Sequence, residues 1–126
     1  MEKETAARRL IAIVDDDDSM RDALVALFRS LSYDARGFGS AEEFLACSDL
    51  ERFACAITDI QMPGMNGFEL KRQLDERHGK LPVIMITART EVGLEEKAIS
   101  IGAACFLRKP FETETLVNCL ERVLRA

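Results

Sequence analysis

Four consecutive aspartates, Asp15 to Asp18, follow directly on the apolar run Leu10 to Val14, and a fifth, Asp59, follows the run Ala54 to Ile57 after Thr58. Carboxylates brought close together raise one another's pKa unless a cation neutralises them. A hard divalent cation answers that need. Mg²⁺ takes oxygen ligands, keeps several waters, and is commonly held by one or two carboxylates plus a phosphate oxygen. No His or Cys stands beside these aspartates, which favours Mg²⁺ over zinc. Asp15, Asp16 and Asp59 are therefore the candidate metal-holding carboxylates. Asp17 and Asp18 read as the acidic start of a helix, with Asp18 as its cap.

Lys109 follows another apolar run and precedes Pro110, where it can project a cation over the acidic cluster. Thr87 ends the run from Val83, and its hydroxyl serves a local backbone group as readily as a ligand oxygen. The loop Met62-Pro63-Gly64-Met65-Asn66-Gly67 combines a fixed φ with permissive glycines, which suits a tight connection beside a ligand or an ordinary turn.

These groups must be positioned by elements. Short apolar runs predict strands at Leu10 to Val14, Tyr33 to Phe38, Phe53 to Thr58, Pro82 to Thr87 and Ala104 to Leu107. Most are continuously apolar, as in a sheet covered on both faces; the Tyr33 segment reads as an edge. Amphipathic stretches predict helices at Ser19 to Leu31, Ser40 to Ala46, Gly67 to Arg77, Glu91 to Ile101 and Glu112 to Arg125. This alternation implies right-handed crossovers and a mostly parallel, three-layer α/β sandwich. Ligands in such sheets bind beyond the carboxyl ends of the strands. Asp15, Asp59, Thr87 and Lys109 all stand at those ends.

The 126 residues make one domain, 48% hydrophobic and 31% charged, with residues 1–8 expected as a flexible leader to it. Seventeen basic against 22 acidic residues give a net charge of -5, and no basic run offers a footprint for nucleic acid or anionic lipid. No apolar run approaches the roughly 20 residues of a membrane span. With no secretory signal, a cytoplasmic location is expected. Cys47, Cys55, Cys105 and Cys119 lack CxxC spacing and read as reduced thiols, three of them in apolar stretches. His78 reads as a solvated loop residue.

Taken together, Val14-Asp15-Asp16, Thr58-Asp59 with the following loop to Gly67, Ile86-Thr87-Ala88 and Arg108-Lys109-Pro110-Phe111 resemble the receiver domain of two-component response regulators. The resemblance spans essentially the whole chain. It implies a (βα)5 flavodoxin-like fold with a parallel five-stranded sheet of order 2-1-3-4-5. It also implies phosphoryl transfer from a sensor histidine kinase to Asp59, with Lys109 and Thr87 contacting the phosphoryl oxygens. Mg²⁺, or Mn²⁺ in its place, would be held by Asp16 and Asp59 directly, by Asp15 through water and by the main-chain carbonyl of Gln61. A cis Lys109-Pro110 peptide is implied as well.

Signalling in that family moves the hydroxyl at the Thr87 position and turns the aromatic at the Phe106 position, altering a surface of the fourth helix, fifth strand and fifth helix. Phe106 and the pattern around Met85 resemble receivers of the FixJ type, which regulate transcription. A phosphorylation-dependent homodimer is implied, although Glu95, Glu96 and Ser100 make the fourth helix polar for such a patch. Gly93, placed within that helix, would lower its stability by about 1 kcal/mol relative to Ala. Any contact with nucleic acid is expected through a separate output domain, the chain being read as a receiver excised from a longer regulator or a stand-alone one.

Competing readings are weaker. A haloacid-dehalogenase-type phosphatase needs a second Asp two residues after the first, where Gln61 stands. Neither GxxxxGK[ST] nor GxGxxG follows any strand. An interaction module that is never phosphorylated would have no use for Asp15, Asp16, Asp59, Thr87 and Lys109 together.

Overall fold

The computed structural model describes residues 8–125. Its strands are β1 (Leu10–Val14), β2 (Asp34–Phe38), β3 (Phe53–Asp59), β4 (Val83–Thr87) and β5 (Cys105–Arg108). They form one parallel sheet of order β2-β1-β3-β4-β5. The helices are α1 (Asp18–Ser30), α2 (Ala41–Leu45), α3 (Gly67–Arg77), α4 (Leu94–Ser100) and α5 (Thr113–Arg125), with a short 3-10 turn at Leu50–Arg52. Of the expected leader, Arg8 is described and exposed; residues 1–7 lie outside the described residues.

The continuously apolar strands follow from burial on both faces. In β1, Leu10, Ala12 and Val14 join the core beneath α2, α3 and α4, while Ile11 and Ile13 join the core beneath α1 and α5. β4 divides in the same way, with Val83 and Met85 on one side and Ile84 and Ile86 on the other. Phe38, Phe44 and Phe53 pack ring against ring at 4.9–6.0 Å and fasten the short α2 to the sheet. Phe28 anchors α1 with no exposed surface, and Tyr33, which lies just outside β2, meets it edge-on at 6.0 Å.

Several boundaries correct the sequence expectations. The α1 cap is Asp17, whose side chain accepts from the Met20 N–H; Asp18 is instead the first helical residue and pairs with Arg21. α4 begins three residues later than expected, at Leu94. Gly93 precedes that helix with φ of 95°, a left-handed conformation that glycine adopts without strain, so it starts α4 and does not weaken its interior. β3 and β5 each extend one residue further, to Asp59 and Arg108.

Candidate functional site at the carboxyl edge of the sheet

The sheet's hydrogen bonding continues past the strand ends and fixes the site's backbone. The Asp15 N–H donates to Phe38 O at 3.1 Å, Ile60 N–H to Ile86 O at 2.8 Å, and Lys109 N–H to Thr87 O at 2.8 Å. Since Val14 pairs with Thr58 and Asp59 with Ile86, the residues that follow β1 and end β3 stand side by side. The loop after β3 closes through the Gly67 N–H to Ile60 O bond and a capping box between Asn66 and Glu69. Gly67 is required for close approach: a Cβ there would lie 2.7 Å from the Asp59 carbonyl oxygen. Glu42 secures the loop from α2 by accepting the Met65 N–H at 2.9 Å.

Asp15 and Asp59 are buried, at 3% and 8% exposure, and their carboxylates are held alike. Asp15 Oδ1 accepts the Asp17 N–H at 3.0 Å, and Asp59 Oδ1 accepts the Gln61 N–H at 3.1 Å. Lys109 Nζ then donates to Asp15 Oδ2 at 3.1 Å and Asp59 Oδ2 at 3.0 Å, bridging β1, β3 and β5. Each of Asp15, Asp16 and Asp59 offers a carboxylate oxygen within 4.8 Å of the others, with Asp16 exposed at the rim. Two buried carboxylates and an exposed third leave a net negative oxygen cluster even with Lys109 in place, which fits a hard divalent cation.

Burial pushes the Asp15 carboxyl above its usual range, against the Asp17 N–H and Lys109, which favour its ionised form. Burial also works against the charge on Lys109, but the hydrogen bond and charge of Asp59, followed by those of Asp15, outweigh it and raise the ammonium's pKa. Lys109 is therefore a permanent cation at neutral pH.

Thr87 is fully buried at the end of β4, and its Oγ1 accepts the Arg89 N–H at 3.0 Å, so its hydroxyl oxygen is engaged with the following loop. Gln61 is exposed beside Asp59. The Lys109–Pro110 peptide is cis. Phe106 lies apart from the acidic cluster, half-buried on the face carrying α4, with the Arg108 guanidinium 5.1 Å from its ring centroid.

Sequence reasoning missed Arg21, whose Nη1 donates to the Asp15 carbonyl at 2.9 Å; only its i+3 spacing from Asp18 hinted at a role there. It quoted Arg108 beside Lys109 without giving it a contact; Arg108 Nη1 donates to the Arg89 carbonyl at 2.7 Å. Cys55 and Cys105 are buried free thiols whose pKa values burial pushes up to about 12 and about 11, as suits inert core residues. His78 departs from the expected solvated loop: it caps the end of α3, half-buried, with Nε2 enclosed.

A parallel sheet of order 2-1-3-4-5 between two helical layers, with its polar residues gathered at the carboxyl edge, defines a flavodoxin-like α/β domain. The profile of the family described as "Response regulator receiver domain" matches residues 11–121, and the chain belongs to that family. It is 34% identical over 115 residues to the transcriptional regulatory protein FixJ of Bradyrhizobium diazoefficiens, covering 91% of this chain and 56% of that one. It is 37% identical over 118 residues to the response regulator protein TodT of Pseudomonas putida, covering 92% and 51%. The chain thus spans about half the length of these relatives. The crystal structure of FixJ-N superposes with a TM-score of 0.84 at 32% identity, covering 93% of this chain and 94% of that one. Among the described residues no helix is long and apolar enough to cross a membrane.

Proposed function

We propose that Asp59 accepts a phosphoryl group from the phosphohistidine of a sensor histidine kinase, in a Mg²⁺-dependent reaction that switches the surface of α4, β5 and α5. The observation that carries this reading is the Lys109 ammonium shared between Asp15 and Asp59, with both carboxylates oriented from behind by backbone N–H groups. That arrangement holds an Asp59 oxygen as a fixed nucleophile beside a cation suited to a transferring phosphoryl group. A P–O bond forms in line as the P–N bond breaks, and the electron pair leaves with the donor imidazole nitrogen. Lys109 neutralises charge on the equatorial oxygens, and Thr87 contacts them once its hydroxyl turns from Arg89.

Asp16, Asp59 and the Gln61 carbonyl would hold Mg²⁺, with Asp15 acting through water and Mn²⁺ a serviceable substitute. The metal supplies charge neutralisation to the phosphoryl oxygens and to the carboxylates themselves. The chain's own chemistry is confined to acquiring and losing this group, as befits a cytoplasmic signalling domain rather than a turnover enzyme. Its relatives FixJ and TodT, a transcriptional regulatory protein and a response regulator, support an attached DNA-binding domain as the output. Phosphorylation-dependent pairing of two chains through α4 and β5 would carry the signal to it.

Intact-mass measurement after incubation with acetyl phosphate tests the reading. One adduct of phosphoryl mass is expected with Mg²⁺ and none with chelator or in Asp59→Asn. An undiminished adduct in Asp59→Asn contradicts it.

A further inference from the structure

The segment 88–92 between β4 and α4 is exposed throughout, and it leads to Gly93, around whose Cα no heavy atom would meet an added Cβ within 4 Å. Such a segment has little packing to hold it. Both backbone polar groups of Arg89 are nevertheless held. The N–H donates to Thr87 Oγ1 at 3.0 Å, and the carbonyl accepts from Arg108 Nη1 at 2.7 Å. Arg108 comes from β5, directly opposite Thr87 in the sheet register, and its guanidinium lies over Phe106 at 5.1 Å from the ring centroid. The Arg89 side chain turns elsewhere, to Glu91.

One guanidinium therefore touches both the loop carbonyl and the ring of Phe106. Its planar fork permits both contacts at once, a combination that a lysine ammonium reproduces only in part. Phe106 has no ring hydroxyl with which to bond the loop itself. The bond from the Arg89 N–H to Thr87 Oγ1 also ties the position of that hydroxyl to the loop.

We propose that Arg108 is a positioning residue that latches the loop after β4, gripping the Arg89 carbonyl from above Phe106 and thereby holding the Thr87 hydroxyl away from Asp59. This rests on the phosphoacceptor reading. Turning Thr87 toward a phosphoryl group breaks its bond to the Arg89 N–H, and with Arg108 holding the carbonyl of that same residue, in the next peptide unit, the loop resists following. The latch biases the chain toward the unphosphorylated conformation without touching the reacting atoms. Because a ligand's apparent affinity scales with the fraction of its binding-competent state, loosening the latch strengthens binding of a phosphoryl analogue.

The test titrates the intact chain with beryllofluoride in Mg²⁺, comparing wild type, Arg108→Ala and Arg108→Lys, and records the Arg89 amide and Thr87 methyl resonances without ligand. Arg108→Ala is expected to bind the analogue about fivefold tighter, the factor given by losing one ordinary hydrogen bond. Its free-state resonances should move toward the bound-state positions, while Arg108→Lys stays within about twofold of wild type, since it can still donate to the carbonyl. Simple electrostatics has the opposite sign: removing a cation near an anionic analogue weakens binding. Unchanged or weaker binding by Arg108→Ala overturns the latch. Failure of wild type to bind beryllofluoride overturns the phosphoacceptor reading and the latch with it.

Discussion

At the scale of single residues, the site is a balance between carboxylates that resist burial and one ammonium that makes it tolerable. In the proposed reaction Lys109 stabilises charge developing on the phosphoryl group, and losing one such group typically costs about a hundredfold or more in rate. Lys109→Ala is expected to slow acetyl phosphate labelling by about that factor while Asp59 remains in place. Asp15 gives a pH prediction. Its folded-state pKa is raised above 3.8, so the folded protein holds the proton more tightly than the unfolded chain. Stability from this group is complete below the unfolded value and is lost as pH rises through the raised one. In metal-free buffer, Asp15→Asn should therefore lose less stability than wild type between about pH 4 and neutrality; urea titrations that give parallel pH profiles would refute it.

The residues that carry chemistry were legible because they stand where apolar runs end, and a charged group there needs a reason. Arg21 and Arg108 were not, because each acts through a backbone carbonyl that only the folded chain brings near. Thr87 left two readings open in the sequence, and in the structure its oxygen accepts a local N–H.

At the scale of elements, the loop between β3 and α3 holds Asp59 through the Gln61 N–H and the close approach of Gly67. Asn66→Ala removes half of a capping box and is expected to cost about 1 kcal/mol in stability. Gly67→Ala should cost more, since the added Cβ would press on the backbone of Asp59 and Ile60, so it should impair labelling as well as folding. Comparing unfolding midpoints with labelling rates for the two variants separates the effects.

Element existence was readable from periodicity and element ends were not, for local reasons. Asp17 and Asp18 are both good cap residues, and only the backbone conformation selects Asp17. Glu91 and Val92 suit a helix as well as a loop, but the left-handed Gly93 interrupts any helix through them. Sheet order follows from no single strand's sequence; it entered through the resemblance.

At the scale of the whole molecule, stability rests on the two cores that flank the sheet. Phe28 is wholly enclosed between α1 and the sheet, and Phe28→Ala is expected to cost about 3–5 kcal/mol. A cation bound only by the folded chain adds stability by mass action, about 2.7 kcal/mol at a hundredfold excess over its dissociation constant. Mg²⁺ should accordingly raise the unfolding midpoint of wild type far more than that of Asp16→Asn. Ile99 and Val92, at 60% and 100% exposure, lie amid the charges of Glu95 and Glu96, so pairing of chains through α4 should be weak and salt-sensitive. Sedimentation with and without beryllofluoride reads this directly.

In the proposed reaction one carboxylate, Asp59, receives the phosphoryl group. Borohydride reduction of the acetyl-phosphate-treated chain converts an acyl phosphate to homoserine, and peptide mapping then locates it. Homoserine is expected at residue 59 alone, dependent on Mg²⁺. Homoserine at Asp15 or Asp16 instead, or none in a chain that binds Mg²⁺, would contradict it.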